Sequence, residues 1–500
     1  MRQYLLAALA GLALPLGFAP FGQFWIAPLA YAALLYLWGG ATPWRAARIG
    51  FAFGCGAFGF GTYWTYIAVR IIGGAPLPVA IFLTAGLVAV CSGFVALAGY
   101  VAARGFHTRG ALAWLGALPA LFVVTEWMRG FMFSGFGWLS AGYSQTDSWL
   151  MGLAPVAGQH AMGYAVLLTA GAIVTLVLGT NRERAAAAGV AAVVWGAGFA
   201  AHEHDFTQAK EHARTVALVQ GAIEQDLKWK PEQLPDTLRL YGGLTEQSAG
   251  TDLIVWPEAA IPTLYESVAE YLSALHTALA KAGSTVLLGT LRLPPGDDPT
   301  GEAFQNILVA LTDPAQVYVK RHLVPFGEYF PVPGFIRSWM RYMNLPTGDA
   351  IAGAADQPPL DASGERIAIT ICYEDVFGAE QLHYLPDATL LVNVTNDAWF
   401  GNSIAPHQHL QIARLRAAEA GRYLLRAANT GITAVIDQHG RVTATVPQFR
   451  AGVLKETVRG YTGATPYARV GNYPVLLLTL LVLVAVVWKR RTGVTSDSRS

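Results

Sequence analysis

The feature that most constrains this chain is a succession of long apolar windows before His202. Most of these windows approach the ~20 apolar residues that a helix needs to cross the hydrocarbon core of a bilayer. A further window lies near the C-terminus and ends in a basic cluster. We therefore expect an α-helical transmembrane bundle of eight spans, at Tyr4–Ala19, Phe24–Trp38, Ile49–Val69, Leu77–Ala103, Ala111–Met128, His160–Leu178, Ala185–Ala201 and Tyr473–Trp488.

Composition agrees with a membrane protein and argues against several other classes. Hydrophobic residues make up 53% of the 500-residue chain and charged residues only 13%, against roughly 25% charged in an ordinary soluble domain. A net charge of +1 gives no electrostatic reason to expect a nucleic-acid partner. Cys55, Cys91 and Cys372 lie far apart and match neither a disulfide framework nor a zinc-ligand spacing, so we expect no bound metal.

The basic residues of the short loops predict the orientation of the spans. If the N-terminus is cytoplasmic, the opposite loops contain little basic charge beyond Arg70 and Arg129. The cytoplasmic loops then contain Arg45, Arg48, Arg104, Arg109, Arg182, Arg184 and the cluster Lys489–Arg491. This asymmetry follows the positive-inside rule and predicts that both termini are cytoplasmic. A cleaved signal peptide at the first window is the alternative, but "LPLGFAPFG" offers no A-x-A-like cleavage site.

After Thr215 the sequence changes to the pattern of a soluble α/β domain. Runs such as "DLIVW", "STVLLGTLRL" and "ATLLVNVTND" predict buried strands, and "SVAEYLSALHTALAKAG" predicts a helix. Interleaved strands and helices are typical of a layered α/β core. We expect a bundle over 1–205, an inserted domain outside the cytoplasm over 206–466, a last span over 467–491 and a disordered cytoplasmic tail over 492–500.

Three predicted strand ends in the inserted domain carry reactive side chains. Glu258 follows "LIVWP", Lys320 follows "AQVYV", and Cys372 follows "RIAITI". A cysteine accepts an acyl group efficiently only as a thiolate or beside a base. A carboxylate can take the proton, and a lysine can stabilise a developing oxyanion. Each residue alone also fits a structural role, because a cysteine after a strand is often a small core residue.

The motifs around these three residues resemble the nitrilase, or carbon–nitrogen hydrolase, superfamily. They read "VWPEAAIP", "YVKRHLVPFGEYFP" and "ICYEDVF", in the order and spacing of that superfamily. The resemblance covers the inserted domain and implies a four-layer α-β-β-α sandwich. It further implies that Glu258 is the general base, Lys320 the electrostatic stabiliser and Cys372 the nucleophile.

The residues beside the nucleophile and the cation have expected supporting roles. By the same resemblance, the backbone N–H of Tyr373 helps to form an oxyanion hole, and Glu328 in "PFGEY" positions the group that transfers the proton. Glu374 is expected to orient Lys320 or the substrate.

Together with the apolar windows, the chain resembles the apolipoprotein N-acyltransferase family over nearly its full length. The loop Thr125–Gln145 is similar to a loop of that family, with Gly137 where the family pattern has proline. "DLKWKPE" and "NVTNDAWFG" match two further loops, which makes Trp229 and Trp399 candidate substrate contacts. Packing in the core is the alternative role for both tryptophans.

This second resemblance implies acyl transfer in two half-reactions that need no cofactor. Cys372 would take the sn-1 acyl chain of a phospholipid, with phosphatidylethanolamine as the expected donor, as a thioester. The α-amine of an S-diacylglyceryl cysteine at an apolipoprotein N-terminus would then accept it. The implied protein is a monomeric, multi-pass enzyme of the bacterial inner membrane, with its catalytic domain in the periplasm.

Two other functions remain open on the sequence. A membrane-tethered nitrilase-type amidase that hydrolyses small amides could use the same triad, although a single tether would then suffice. A transport or scaffolding protein with an inactive nitrilase-like domain is disfavoured, because Glu258, Lys320 and Cys372 are all present.

Overall fold

The computed structural model describes residues 1–106, 108–296, 303–329 and 350–497. The chain divides into two compact units. The first comprises Met1–Phe206, Phe400–Glu419 and Thr465–Ser500, and the second comprises Thr207–Trp399 and Ala420–Ala464. The first unit is helical, and the second contains the strands.

The main helices are numbered here in chain order. They are α1 (Arg2–Ala13), α2 (Ile26–Trp38), α3 (Pro43–Gly61), α4 (Leu77–Gly105), α5 (Leu118–Arg129), α6 (Ala154–Leu178), α7 (Asn181–Ala201), α8 (Gln225–Lys228), α9 (Leu234–Glu246), α10 (Ala269–Lys281), α11 (Gly378–Gln381), α12 (Ala405–Ala420), α13 (Pro466–Val470) and α14 (Tyr473–Asp497).

Within the described residues, three helices are long and apolar enough to cross a membrane: Leu77–Gly105, Trp149–Leu178 and Asn181–Ala201. Ile26–Trp38 and Tyr473–Lys489 are shorter apolar helices. Leu477, Leu481 and Trp488 of α14 are exposed, as expected for side chains that face lipid. The apolar helices agree with a membrane protein, and the number of eight spans stays a prediction.

The predicted span Ile49–Val69 is divided in the structure. Helix α3 ends at Gly61, and helical structure resumes over 64–72 with a π-helical stretch at Ile67–Ile72. Glycines of α3 allow a close approach to α4: a Cβ at Gly50 would lie 2.6 Å from the Val95 carbonyl oxygen. Small residues at such contacts are typical of helix packing in membranes, where backbones approach closely.

Helix α12 belongs to the helical unit, although its sequence lies inside the predicted inserted domain. The Gln408 side chain accepts from Trp64 Nε1 at 3.1 Å and donates to the Gly61 carbonyl at 3.1 Å. Glu419 Oε1 accepts from the Gln159 backbone N–H at 2.7 Å. These buried polar contacts fix α12 within the first unit, because a buried polar group that loses its partner is costly.

In the described part of the second unit the strands form two six-stranded sheets. The first has the order β12-β1-β2-β3-β4-β5, and the second has the order β11-β10-β9-β8-β7-β6. Their ranges are β1 (Gln208–Gln220), β2 (Leu253–Val255), β3 (Thr285–Arg292), β4 (Gln305–Ala310), β5 (Gln316–Val319), β6 (Leu360–Ala362), β7 (Glu365–Ile371), β8 (Leu390–Thr395), β9 (Leu424–Ala428), β10 (Thr433–Ile436), β11 (Val442–Val446) and β12 (Gly452–Thr462).

Parallel strands lie at the centre of each sheet, flanked by antiparallel ones. β1, β2 and β3 run parallel in the first sheet, and β7, β8 and β9 run parallel in the second. Helices α9 and α10 cover the first sheet, and their Tyr241 and Leu272 belong to the same buried apolar cluster as Ile254 and Val286 of the strands. These two sheets with their covering helices confirm the predicted α/β class of the domain. In such sheets, functional residues gather at the carboxyl ends of parallel strands.

Candidate active site

Strands from both sheets end at one place in the second unit. Glu258 lies three residues beyond the end of β2, and Lys320 directly follows β5. Cys372 directly follows β7, and Asn396 directly follows β8. The Asn396 backbone N–H donates to Glu258 Oε2 at 2.9 Å, so that the strand ends of the two sheets meet at this carboxylate.

The Glu258 carboxylate is buried and fully engaged. Lys320 Nζ lies 3.1 Å from Oε1, and Asn306 Nδ2 donates to the same oxygen at 2.8 Å. Burial opposes ionisation, but the Lys320 charge, hydrogen bonds from Lys320 and Asn306 and the Lys228 charge together lower the pKa of Glu258. Glu258 is therefore an ionised carboxylate at neutral pH, as a general base must be.

Lys320 lies between two carboxylates and is itself almost completely buried. Its Nζ is 2.8 Å from Glu328 Oε1 as well as 3.1 Å from Glu258 Oε1, and the residue is only 1% exposed. Burial alone would lower the pKa of Lys320, but the charges of Glu258, Glu328 and Cys372 raise it well above its ordinary value. Lys320 therefore stays a cation throughout the neutral range. Glu328 is fixed in turn by the Val324 backbone N–H, 2.8 Å from Oε2.

Cys372 occupies a strained turn at the end of its strand. Its φ is +55°, a left-handed conformation that non-glycine residues rarely adopt, and Cys372–Val376 form a tight 3-10 turn. Strain of this kind is concentrated at functional sites, where the surrounding structure has to maintain it. Parallel pairing of β7 with β8 sets Cys372 beside Thr395, whose side chain acts on the thiol.

The electrostatics of the site determine how this thiol can react. Burial and the Glu258 charge raise the pKa of Cys372 above its ordinary value, while Lys320 and Thr395 act in the opposite direction. The resting thiol is therefore protonated at neutral pH, and it cannot attack as a preformed thiolate. A proton acceptor is required, and the ionised Glu258 acts on the same thiol.

Glu374 ties together the backbone segments that follow β5 and β7. Its carboxylate accepts from the backbone N–H of Ile371 at 2.7 Å, of Arg321 at 2.8 Å and of His322 at 3.1 Å. The Tyr318 hydroxyl also donates to it at 3.0 Å. Glu374 thus holds the segment next to Lys320 against the segment next to Cys372. Its role in orienting Lys320 stays a prediction. The physical basis is the hydrogen bond from the backbone N–H of Arg321, the residue after Lys320, to the Glu374 carboxylate.

Replacing Glu374 with glutamine should destabilise the protein and impair the site together. The amide NH₂ would face N–H donors and leave buried groups unsatisfied, at about 1–3 kcal/mol for each lost partner. We expect a clear fall in the midpoint of thermal unfolding in detergent, together with lower activity. Glu380→Gln is the control, since Glu380 contacts the side chains of Arg321 and His322 and is half-exposed. Equal stability of the two variants would contradict this role.

Three predicted site residues remain to be described: Tyr373, Trp229 and Trp399. The Tyr373 ring is buried edge-on against Phe377, with ring centroids 5.1 Å apart, which leaves its backbone N–H as the group expected to act. Trp229 is 44% exposed and Trp399 is 38% exposed, so neither belongs to the core. Trp229 follows Lys228, and Trp399 lies three residues beyond Asn396, so both flank residues that contact Glu258. Their contact with substrate stays a prediction.

Sequence reasoning did not single out several residues that hold the site together. Asn306 and Asn396 both donate to Glu258, and Lys228 donates to its backbone carbonyl at 3.1 Å. Beside Cys372, Thr395 donates to Asp397 at 3.0 Å, and Asp397 pairs with buried Arg426 at 2.9 Å. Asn396 and Asp397 lie in the quoted motif "NVTNDAWFG", which was the available signal. Lys228 likewise lies in the quoted motif "DLKWKPE", whereas nothing in its residue type distinguished Asn306.

The described ranges contain no cluster of metal-ligating side chains. No group of three or more His, Cys, Asp or Glu side chains there could hold a metal ion. The cluster instead has the parts of covalent acyl chemistry: a base, a cation and a thiol.

The fold and this cluster define a carbon–nitrogen hydrolase domain carried by a helical membrane unit. The family model described as carbon-nitrogen hydrolase matches residues 215–467, and the apolipoprotein N-acyltransferase N-terminal domain matches residues 10–172.

Curated relatives match almost the whole chain. An apolipoprotein N-acyltransferase of Methylococcus capsulatus is 41% identical, over 99% of this chain and 98% of the relative. That of Nitrosomonas europaea is 41% identical over 96% of both chains, and that of Vibrio cholerae is 38% identical over 97% of both. The chain belongs to the apolipoprotein N-acyltransferase family, which confirms the resemblance found in its motifs.

Proposed function

We propose that this protein transfers an acyl chain from a phospholipid to the α-amine of the S-diacylglyceryl cysteine at the N-terminus of apolipoproteins, the last step of lipoprotein maturation. Relatives that match nearly the full length of the chain are named apolipoprotein N-acyltransferase, and this supports the reaction class. The observation that carries the chemistry is the buried cluster in which Glu258 and Lys320 are paired at 3.1 Å and both act on Cys372.

In the first half-reaction Glu258 takes the proton of the Cys372 thiol while Sγ bonds to the sn-1 ester carbonyl carbon of the phospholipid. The carbonyl oxygen becomes an oxyanion, which the Lys320 ammonium and the Tyr373 backbone N–H stabilise. As the intermediate collapses, the carbon–oxygen bond breaks and protonated Glu258 returns its proton to the leaving oxygen. The products are a lysophospholipid and a thioester on Cys372. Phosphatidylethanolamine is the proposed donor.

In the second half-reaction the neutral α-amine of the acceptor attacks the thioester carbonyl. Glu258 accepts a proton from the attacking nitrogen, a new amide bond forms, and the carbon–sulfur bond breaks. The proton then passes to Sγ, which restores the resting thiol. The two half-reactions together form a ping-pong reaction with one covalent intermediate. It also suits an α-amine, whose ordinary pKa of about 7.7–8.0 leaves a useful neutral fraction at physiological pH.

The proposed setting is the bacterial inner membrane, with eight spans, cytoplasmic termini, a periplasmic catalytic domain of four α-β-β-α layers and a monomeric state. The apolar helices and the basic residues of the predicted cytoplasmic loops support this placement. A site beside the bilayer suits both substrates, because their acyl chains need not pass into water.

Product analysis separates this reaction from hydrolysis by a tethered amidase. The purified enzyme in phosphatidylethanolamine-containing micelles should convert a diacylglyceryl-cysteine peptide to its N-acyl form and release one lysophospholipid for each peptide acylated. Hydrolysis of a small amide with no N-acyl peptide formed would support the amidase instead. The control is the same peptide with an acetylated α-amine, which offers no nucleophile.

A further inference from the structure

Lys228 is a second buried lysine at this site, outside the predicted triad. It ends the short helix α8 and is only 1% exposed. Its Nζ donates to the backbone carbonyl of Glu258 at 3.1 Å. Within the described ranges this is its one hydrogen bond, and the ring of Trp229 lies 6.0 Å from the same nitrogen. An ammonium group so deeply buried must be stabilised by neighbouring charges or dipoles, because desolvating a charge costs several kcal/mol.

Helix α8 holds the general base from two directions. Lys228 binds the main chain of Glu258, while Gln225 Oε1 accepts from Asn396 Nδ2 at 2.8 Å. Asn396 is the residue whose backbone N–H binds the Glu258 carboxylate. The helix therefore contributes to fixing both the backbone and the side chain of this glutamate.

The charges that face Lys228 are those of the reaction centre. Burial lowers the pKa of Lys228 to about 8, against the opposing effects of Glu258 and Cys372. Without Lys228 the cluster of Glu258, Glu328 and Lys320 carries two negative charges and one positive charge. When Glu258 takes the thiol proton, it becomes neutral and a negative charge forms on the substrate oxygen, so the cluster keeps one uncompensated negative charge throughout the step. A protonated Lys228 brings the total to zero, and the buried negative charge is then held at a smaller cost.

We propose that Lys228 is a positioning residue of the acyl-transfer reaction: it holds Glu258 by its carbonyl group and supplies the second positive charge that balances the negative charge of the reacting cluster. This inference rests on the proposed function and extends it to a residue outside the triad. Lys228 acts through Glu258 and through the field at the thiol, and it need not touch the substrate.

The test compares Lys228→Met and Lys228→Arg with Lys230→Met in the full-length protein. Lys230 is an exposed lysine two residues along the chain and is the matched control. Two quantities are measured for each variant. One is the rate of Cys372 acylation by phosphatidylethanolamine, from intact mass. The other is the pH profile of Cys372 alkylation by iodoacetamide, from peptide mapping that separates Cys372 from Cys55 and Cys91.

We expect Lys228→Met to slow acylation roughly tenfold or more, which is less than the about 10²–10³-fold loss of a direct oxyanion donor because Lys228 does not contact the substrate, and to shift the alkylation profile to higher pH. Lys228→Arg should retain most of the wild-type profile, because it keeps the charge. Lys230→Met should match the wild type in both measurements. Folding of each variant is checked by its thermal unfolding midpoint.

A folded Lys228→Met variant with an unchanged acylation rate and an unchanged alkylation profile would overturn the proposal. If Lys228→Met does not fold, Lys228→Gln takes its place with the same two readouts. A wild-type protein that forms no acyl adduct would refute the proposed function. The alkylation profile would still decide the role of Lys228, so the two failures are distinguishable.

Discussion

Cys372→Ser is expected to abolish acyl transfer while leaving the fold intact. A serine hydroxyl is a much weaker acid than a thiol, so Glu258 cannot withdraw its proton as readily, and no thioester can form. Loss of a nucleophile that works together with its base typically costs several orders of magnitude, about 10⁴-fold or more. Transfer is measured as the yield of N-acyl peptide from phosphatidylethanolamine and a diacylglyceryl-cysteine peptide.

The control for this variant is Cys55→Ser, which changes a half-buried cysteine of the helical unit. It should retain wild-type activity. Both variants should unfold near the wild-type temperature, because serine and cysteine differ little in volume and the backbone at residue 372 is already set in its left-handed conformation. Substantial N-acyl peptide from a folded Cys372→Ser protein would refute the covalent route.

Glu258→Gln is expected to have the second largest effect, a loss of roughly 10³-fold or more at neutral pH. The proton of a thiol whose pKa is raised by burial would then have no acceptor, and general-base catalysis alone commonly contributes 10²–10⁴-fold. The initial rate of acyl-enzyme formation, measured by intact mass, tests this. Glu270→Gln, on the exposed face of α10, is the control and should behave as the wild type.

The pH dependence adds a signature that a structural defect would not produce. In the wild type the pKa of Glu258 lies below its ordinary value, so the base stays ionised as pH falls from neutral. Its contribution is lost only below the ordinary glutamate pKa of about 4.3. In Glu258→Gln the thiolate must form without a base, so acylation should rise about tenfold per pH unit above neutral. A wild-type-like, flat profile in this variant would contradict the assignment of Glu258.

Local patterns predicted where the strands that lead into the site end. The β-branched run before Cys372 predicts a strand, and β7 ends at Ile371, directly before the thiol. The same reasoning places Lys320 directly after β5. Strand ends can be predicted because hydrophobic periodicity stops where the chain meets polar side chains. The motifs around Glu258, Lys320 and Cys372 then suggested that these residues act together.

Contacts between distant parts of the chain were beyond that reasoning. Asn396 binds Glu258 across 138 positions of sequence, and only the pairing of strands in two sheets brings them together. The grouping of α12 with the helical unit depends on buried partners such as Gln159, which hydropathy does not reveal. Lys228 reads as an ordinary lysine beside a tryptophan until its burial is known.

The measurement that tests the account most directly is intact-mass spectrometry of the wild-type protein after incubation with phosphatidylethanolamine. Covalent catalysis by Cys372 predicts a mass gain of one acyl chain, mapped to Cys372 and discharged when a diacylglyceryl-cysteine peptide is added. A protein that acylates the peptide while never carrying an acyl group on Cys372 would contradict it.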